Sequence, residues 1–354
     1  MFSNIYQGRN VAVTGHTGFK GSWLVSWLNQ LGANVFGYSL DPPSTPSHFE
    51  LLNINMALDL RGDVRDLNTL KEFYEIAKPD IVFHLAAQSL VRPSYSNPVD
   101  TFSINVQGTA NVLEGVRHTE CVQAVIVVTS DKCYENYENN HRYKESDRLG
   151  GFDPYSASKA CAEIVASSYQ NSFKDDLYIA SVRAGNVIGG GDWAIDRLIP
   201  DVARNYQTSS TLKVRQPKAV RPWQHVLEPL SGYLLLGQLL LEKKHDYIGS
   251  WNFGPLKGEV HSVEKILESI SKHWDIQYSL SNDYVGPHEA GLLMLDCEKA
   301  ESLLKWSPVW SHSESIQNTA EWYKQFLNSN LIITDMQLEE YLDAAKKRQA
   351  IWAI

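Results

Sequence analysis

The feature that most constrains the fold is a short apolar run that leads straight into three regularly spaced glycines. Residues Asn10–Thr14 have the sequence NVAVT, and Gly15, Gly18 and Gly21 follow in the pattern GxxGxxG. The next segment, 23–31, carries apolar residues at helical spacing and ends before a glycine. A strand, a glycine loop and a helix N-terminus in this order form a cradle in which backbone N–H groups meet a pyrophosphate. The sequence therefore predicts a dinucleotide site, against the alternative of a plain tight turn.

Strand patterns alternate with helical patterns along much of the chain. The run Ala124–Val128 is β-branched and continuously apolar, which is typical of a buried parallel strand. The predicted strands lie within 10–14, 34–41, 56–60, 80–88, 124–128, 178–182 and 251–255. Each connection between them is long enough for a helix, which indicates parallel crossovers. We therefore predict an α/β fold, a doubly wound parallel sheet (Rossmann) with a smaller, mostly C-terminal substrate-binding domain.

The ends of these strands supply the candidate cofactor contacts. The predicted cofactor-binding residues are Gly15, Gly18, Phe19, Gly21, Asp41, Asp63, Val64, Leu85, Ala86, Ala87, Tyr155 and Lys159. Asp63 can accept a hydrogen bond from an adenine amino group, and the small Ala86 and Ala87 let a cofactor lie against a strand end. Asp41 is the carboxylate nearest the expected ribose position, but Ser39 occupies the usual place, so NADP stays open beside NAD. No arginine stands nearby in the sequence to bind a 2'-phosphate, which favours NAD.

A tyrosine and a lysine four residues apart form the second motif. Tyr155 and Lys159 follow Asp153 and Pro154, a pair typical of a helix start. Four residues place both side chains on one helix face, where they can act on one point. An ammonium beside a phenol favours the phenolate and so makes a base near neutral pH. The alternative is an ordinary amphipathic helix that carries a tyrosine and a lysine.

Composition excludes several classes of partner. The formal net charge is -9 and the pI is about 5.7, which argues against nucleic acid or an anionic membrane as the partner. No apolar run reaches transmembrane length, and the N-terminal residues lack a signal-peptide pattern, so we expect a cytoplasmic protein. The four cysteines show no metal-ligand spacing and no disulfide framework. We therefore expect reduced thiols and no metal site.

Three motifs together resemble the extended short-chain dehydrogenase/reductase superfamily of nucleotide-sugar enzymes. They are the GxxGxxG loop at 15–21, the Ala86–Ala87 strand end and the Tyr155/Lys159 pair, in that order. Within the superfamily, the segments 15–23, 130–136 and 149–160 resemble the CDP-glucose 4,6-dehydratases closely. The resemblance implies NAD as cofactor and a homodimer or homotetramer. It also implies that the tyrosine and lysine handle a sugar hydroxyl and the nicotinamide ribose.

The predicted catalytic residues are Ser130, Asp131, Lys132, Tyr155 and Lys159. After oxidation at C4, a 4,6-dehydratase must remove H5, expel the 6-hydroxyl as water and reprotonate C5, which needs one acid and one base. The resemblance assigns Asp131 as the acid, and Ser130 would bond the 4-hydroxyl. Many dTDP-glucose dehydratases carry glutamate where this chain has Lys132. A lysine can be the C5 base only when its pKa is lowered; otherwise it steadies an enolate or the aspartate.

The remaining predictions concern the nucleotide sugar. Its candidate contacts are Gln88, Ser89, Asn186, Arg197, Arg215, Arg221 and His288, although a surface ion pair is an equal alternative for any one arginine. We expect a NAD-binding domain at 1–185 with segments near 226–255, and a nucleotide-sugar domain at 186–225 and 256–354. The implied reaction converts CDP-glucose to CDP-4-dehydro-6-deoxyglucose and water. A 4-epimerase or reductase of the superfamily and a non-catalytic NAD sensor remain as alternatives.

Overall fold

The computed structural model describes residues 1–173, 177–281 and 286–354. Its centre is a parallel sheet of seven strands. The strands are β1 (Asn10–Thr14), β2 (Asn34–Ser39), β3 (Leu58–Arg61), β4 (Ile81–His84), β5 (Ala124–Val128), β6 (Tyr178–Ala184) and β7 (Gly249–Phe253). They lie side by side in the order β7-β6-β5-β4-β1-β2-β3. The predicted doubly wound sheet is confirmed, and the strand order reverses between β1 and β4.

Helices cover both faces of this sheet, as the long crossovers between parallel strands require. The helices of the first 172 residues are α1 (Phe19–Gln30), α2 (His48–Leu52), α3 (Leu67–Ala77), α4 (Val91–Ser96), α5 (Pro98–Phe102), α6 (Gly108–Arg117) and α7 (Pro154–Ser172). Those that follow are α8 (Leu198–Thr208), α9 (Leu227–Leu241), α10 (Val263–Ile270), α11 (His312–Ser329) and α12 (Thr334–Lys347). Three short 3-10 turns are at Phe2–Asn4, Asp131–Cys133 and His245–Tyr247, and two π turns at Ser103–Gln107 and Ala300–Leu304.

Two segments differ from their sequence patterns. The sequence suggests one helix around 97–117, and α5, the π turn and α6 follow one another without a gap from Pro98 to Arg117; the difference is the additional helix α4, which a break at Asn97 separates from them. A residue before proline is pushed out of the helical region, which explains the break. The closing helix expected at 296–306 contains a π turn, and α11 and α12 complete the fold after it.

One buried carboxylate, that of Glu228, joins α9 to the C-terminal segment. Glu228 on α9 accepts hydrogen bonds from the backbone of Val309 and Trp310, at 2.8 and 2.7 Å, and from the hydroxyl of Tyr341, at 2.8 Å. Burial raises the pKa of Glu228 to about 7, although these donors oppose the shift. A buried polar group must find its hydrogen-bond partners inside the protein, so Glu228 helps to position the C-terminal segment against α9.

Three short ribbons beyond the sheet shape the rim above the strand ends. Val187–Ile188 pairs with Gln224–His225, and Leu212–Val214 pairs with Tyr278–Leu280, both in parallel. Val220–Arg221 pairs antiparallel with His261–Ser262. The sheet's own last strand, β7, comes from the C-terminal third of the chain. None of the helices in the three described ranges is long and apolar enough to cross a membrane.

Candidate functional site

A cavity of about 780 Å³ opens at the carboxyl ends of the strands, where the strand order reverses. This is the position at which open parallel sheets bind ligands, and the volume lies in the usual range for ligand pockets. The structure brings together around it Gly15, Gly18, Phe19, Gly21, Asp41, Asp63, Val64, Leu85, Ala86, Ala87, Gln88, Ser89, Ser130, Asp131, Lys132, Tyr155, Lys159, Asn186, Arg197, Arg215 and Arg221. His288 does not line the cavity.

The glycine loop forms the floor of one end of the cavity. Gly15 has a φ of +76°, and a Cβ atom there would lie 2.6 Å from the backbone nitrogen of Ala86. A Cβ atom on Gly21 would lie 2.2 Å from the carbonyl oxygen of Gly15. Helix α1 begins at Phe19 without a side-chain cap on Gly18, so its first N–H groups meet no capping oxygen. These residues fit the pyrophosphate of a dinucleotide.

One prediction is corrected near the end of β2, where the adenosine ribose of the cofactor is expected. Asp41 is 90% exposed, and Ser39 is instead turned inward, with its hydroxyl 2.8 Å from that of Thr17. The sequence places no arginine near Asp41, but the structure does: Arg61 Nε lies 3.3 Å from Asp41 Oδ1. Strand β3 ends beside β2, so a residue 20 positions away becomes a neighbour. Arg61 is also held by both oxygens of Asp59, which offsets its charge.

Asp63 and Val64 line the part of the cavity where the adenine of the cofactor is expected. Asp63 accepts hydrogen bonds from the guanidinium of Arg65, at 2.7 to 3.1 Å, which hold the pKa of Asp63 below its ordinary value. Val64 is buried, and its carbonyl accepts a hydrogen bond from Asn111 at 3.0 Å. The Asp63 carboxylate therefore already has a charged partner, and any adenine contact would share it.

Helix α7 carries Tyr155 and Lys159 into the cavity, and a side-chain cap fixes the residue at which this helix begins. Asp153 accepts hydrogen bonds from the backbone and hydroxyl of Ser156, at 2.9 and 2.6 Å, immediately before Tyr155. Tyr155 is 7% exposed. The ammonium of Lys159 donates to the carbonyl of Val128 at 3.1 Å, which orients the lysine across the end of β5.

The acidity of this pair differs from the prediction. Burial raises the pKa of Tyr155 to about 12, with the hydrogen bond from Ser130 opposing. Burial also lowers the pKa of Lys159 to about 8, against the attraction of Glu163. Desolvation of the buried phenol therefore opposes the phenolate that the Tyr155/Lys159 spacing predicts near neutral pH.

The turn after β5 presents the second half of the predicted catalytic group. Ser130 accepts a hydrogen bond from the backbone of Lys132 at 3.2 Å and donates to Asp131 Oδ1 at 3.1 Å. Asp131 is 2% exposed, and its other oxygen, Oδ2, is buried with no hydrogen-bond partner among the described residues. Burial lowers the pKa of Lys132, and the charge of Asp131 opposes this. An orphaned carboxylate oxygen at the cavity indicates a ligand partner.

A second buried carboxylate, Glu163, lies directly behind this turn. It accepts hydrogen bonds from Ser181 at 2.6 Å, from Arg183 at 2.8 Å and from Thr129. Glu163 and Arg183 form an ion pair in which each side chain is 3% exposed. The guanidinium also donates to the hydroxyl of Tyr134 at 2.8 Å. The network ties α7, β5 and β6 together beneath the predicted catalytic group.

Cations dominate the opposite end of the cavity. Arg197 pairs with Asp192 at 3.0 Å and donates to the hydroxyl of Ser89 at 3.3 Å. Arg215 pairs with Asp196 at 3.0 Å. Arg221 is buried and donates to the carbonyl of Val220, and burial lowers its pKa. A guanidinium can donate two parallel hydrogen bonds to one phosphate, so these three arginines suit a diphosphate.

Three predicted substrate contacts have other partners or lie apart. The amide of Gln88 bonds the backbone of Leu90 at 3.0 and 2.6 Å, so its side chain braces its own loop. The backbone carbonyl of Asn186 accepts from Gln224 at 3.0 Å, and Asn186 itself lines the cavity. His288 pairs with Glu138 at 2.7 Å outside the lining. The adjacent Glu289 reaches the cavity instead.

Sequence reasoning missed Lys20 and Arg92, which also line the cavity, and it chose His288 rather than the neighbouring Glu289. Arg92 pairs with Asp196 at 2.6 Å, next to Arg215, a contact between distant segments that no local pattern signals. A signal for Lys20 was available, since a charged residue inside a glycine loop has no packing role. No group of histidine, cysteine, aspartate or glutamate in the described part of the chain could hold a metal ion.

Comparison with known proteins agrees with this site. The profile of the family described as GDP-mannose 4,6 dehydratase matches residues 12–319. A CDP-glucose 4,6-dehydratase of Salmonella typhimurium is 45% identical, over 97% of this chain and 99% of the relative. A human dTDP-D-glucose 4,6-dehydratase is 26% identical, over 90% of each chain. Among solved structures, a Thermus thermophilus UDP-glucose 4-epimerase in complex with NAD superposes with a TM-score of 0.75 at 25% identity, covering 89% of this chain and 98% of the other.

The fold and the site together define an enzyme of the extended short-chain dehydrogenase/reductase superfamily that acts on nucleotide sugars. Within that superfamily, the chain belongs to the nucleotide-sugar 4,6-dehydratase family. The resemblance stated from the motifs is thereby confirmed over nearly the whole length of the chain.

Proposed function

We propose that this protein is a NAD-dependent lyase that converts CDP-D-glucose to CDP-4-dehydro-6-deoxy-D-glucose and water. The observation that carries the proposal is the Ser130–Asp131–Lys132 turn, in which a buried carboxylate oxygen without a partner stands in one cavity with Tyr155. An enzyme that only moves a hydride at C4 does not need this acid. Cytidine as the base rests on the 45% identity to the Salmonella enzyme.

The first half of the reaction uses Tyr155, Ser130 and Lys159. Bound NAD supplies a hydride acceptor that takes hydrogen from C4 and later returns it at C6. The Ser130 hydroxyl favours the ionised form of Tyr155, against burial, so the two side chains can together hold the 4-hydroxyl. Tyr155 would accept the proton of that hydroxyl, for which it must enter this step as the phenolate. Lys159, fixed by Val128, would hold the nicotinamide ribose. The C4–H and O–H bonds break and the C4 carbonyl forms.

The second half uses Asp131 and Lys132. The new carbonyl makes H5 acidic, and Lys132 would remove it, because burial lowers the pKa of this lysine and so favours its neutral form. Asp131 Oδ2 would then give a proton to the departing 6-hydroxyl, for which it must enter this step protonated. Once C6 has received hydrogen, C5 is reprotonated and the site returns to its starting state.

Each ligand has its own half of the cavity in this proposal. Residues 1–185 with segments near 226–255 would hold NAD, and residues 186–225 and 256–354 would hold the nucleotide sugar. The arginines Arg197, Arg215 and Arg221 belong to the second group and would contact the CDP diphosphate. The four cysteines form no disulfide, which supports a cytoplasmic location.

We also propose a homo-oligomer, a homodimer or a homotetramer. Helices α5 and α7 pack together and expose the apolar side chains of Val99, Phe102 and Ile164, at 80%, 38% and 57%. A shared apolar face of this kind is suited to a second copy of the chain. Light scattering should give two or four chains per particle, and the double variant Val99→Lys/Ile164→Lys should be a monomer. A wild-type monomer at micromolar concentration would contradict the proposal.

The function is tested by incubating the protein with NAD and CDP-, dTDP-, GDP- or UDP-glucose in heavy water. We expect loss of water and deuterium at C5, with CDP-glucose preferred. An unchanged mass with inverted C4 would make the protein an epimerase. No turnover of any of the four sugars would favour the sensor.

A further inference from the structure

Lys20 brings another ammonium to the cavity, and the proposed chemistry gives it no role. It is the second residue of α1, directly after Phe19 in the glycine loop. Its side chain lines the same cavity as Tyr155 and Lys159. Lys20 therefore lies between the cradle for the pyrophosphate and the residues at which the sugar is oxidised.

The ammonium of Lys20 is poorly paired. Its Nζ atom lies 3.4 Å from the hydroxyl of Tyr233 and 5.5 Å from the centre of that ring. No carboxylate among the described residues lies within ion-pair distance of it. The positive charges of Arg197 and Lys159 oppose its protonation, and Asp131 favours it. A partly buried cation with so little compensation costs stability, so its place in the site calls for a ligand-based explanation.

A dinucleotide held by the glycine loop must pass Lys20 to reach Tyr155 and Lys159. The half that does so carries the nicotinamide, since the adenosine half lies toward Asp63. We propose that Lys20 is an electrostatic residue that shifts the bound cofactor from its oxidised toward its reduced form. This inference rests on the proposed function and extends it to the control of its redox step.

The physical basis is the charge of the nicotinamide ring, which is positive when oxidised and neutral when reduced. Transfer of hydride from C4 breaks the C4–H bond, delivers its electron pair to the ring and removes that charge, while the hydroxyl proton passes to the phenolate form of Tyr155. A nearby ammonium raises the free energy of the oxidised form only, and one partly screened charge should change the equilibrium about tenfold.

The shift toward the reduced cofactor must also be limited, because the same hydride has to return to C6. Burial, with the charges of Arg197 and Lys159, lowers the pKa of Lys20 to about 7. The lysine is then only partly protonated near neutral pH, so the first oxidation is favoured without trapping the reduced cofactor. A permanently charged arginine at the same position would not allow this balance.

The test measures the dissociation constants of NAD+ and NADH for the full-length protein without sugar. In Lys20→Met, the ratio Kd(NAD+)/Kd(NADH) should fall about tenfold from the wild-type ratio, and Lys20→Gln should behave alike. Lys20→Arg keeps the charge and should leave the ratio within about twofold or raise it. Tyr233→Phe removes only the hydrogen bond and should also leave the ratio unchanged.

Three results would overturn the inference. Equal weakening of both cofactors in Lys20→Met would mean that Lys20 binds the pyrophosphate, which both forms share. An unchanged ratio with a changed melting temperature would mean a structural role only. Failure of the wild-type protein to bind either cofactor would contradict the proposed function itself, and the inference would fall with it. The second and third results are distinguishable, because binding persists in one and not in the other.

Discussion

Asp131 and Glu163 are both buried carboxylates at the end of the same sheet, yet they differ in how many hydrogen-bond partners they have. Glu163 accepts hydrogen bonds from Thr129, Ser181 and Arg183 and forms an enclosed ion pair. Asp131 has one oxygen bonded to Ser130 and one with no partner in the described residues. A satisfied buried charge holds elements together, whereas an unsatisfied one awaits a ligand. The difference distinguishes a carboxylate that supports the fold from one that is open to a ligand.

The largest expected effect comes from removing the acid. In Asp131→Asn, we expect the rate of dehydration to fall by about 10² to 10⁴, the range for loss of a general acid. Oxidation at C4 should continue, so absorbance of the reduced cofactor should rise and persist. The melting temperature should stay close to that of the wild type, because the lost carboxylate has only one internal hydrogen bond. Full dehydration by the variant would remove Asp131 from the mechanism.

Glu163→Ala should show the opposite pattern. Removing one partner of a buried ion pair leaves Arg183 without its carboxylate and should lower the free energy of unfolding by about 3 to 5 kcal/mol. Denaturant unfolding followed by fluorescence measures this, and Glu163→Gln is the matched control that keeps the size of the side chain. If Glu163→Ala unfolded at the same denaturant concentration as Asp131→Asn, the contrast between the two carboxylates would be lost.

Glu228 extends the comparison, because its hydrogen bonds come from neutral donors and it forms no ion pair within the described ranges. Its pKa is raised in the fold to about 7 from an ordinary value of 4.5. Its contribution is therefore fully present below pH 4.5 and is lost as pH rises through 7, by roughly 3 kcal/mol. Glu228→Gln should remove this part of the pH dependence of the unfolding free energy. An identical pH dependence in the variant would contradict the assignment.

The smallest effect concerns Lys132. Lys132→Met should slow exchange of H5 with solvent by roughly tenfold to a hundredfold, while oxidation at C4 continues, because a lysine with a lowered pKa serves as the base. Lys132→Arg keeps a charge but cannot take a proton, so it is the matched control. An arginine variant with normal exchange would show that Lys132 only steadies the enolate or Asp131.

The sequence predicts the sheet, the glycine loop and the start of α7 well because their signals are local. The GxxGxxG loop, the run before Ser130 and the Asp153–Pro154 cap each describe one element, and the structure has those elements at these residues. What the sequence misses depends on neighbours that are distant along the chain. Arg61 reaches Asp41 because β2 and β3 are adjacent, and desolvation of Tyr155 depends on the whole fold.

The arginines of the cavity also show that the sequence does not predict contacts between distant segments. Composition predicts cations near a diphosphate, but not that Arg92 and Arg215 share Asp196, nor that His288 turns away to Glu138. Such pairings depend on the packing of loops, which carries no periodic pattern. For the same reason, the roles of the individual substrate-binding residues remain predictions.

The central claim is a cycle in which the hydrogen removed from C4 ends at C6 of the same sugar. The most direct measurement is proton and deuterium NMR of the product formed in ordinary water from CDP-glucose labelled with deuterium at C4. The account predicts a 4-keto sugar with one deuterium in its C6 methyl group and none lost to solvent. Deuterium that stays at C4, or that is washed out while the 6-hydroxyl remains, would contradict it.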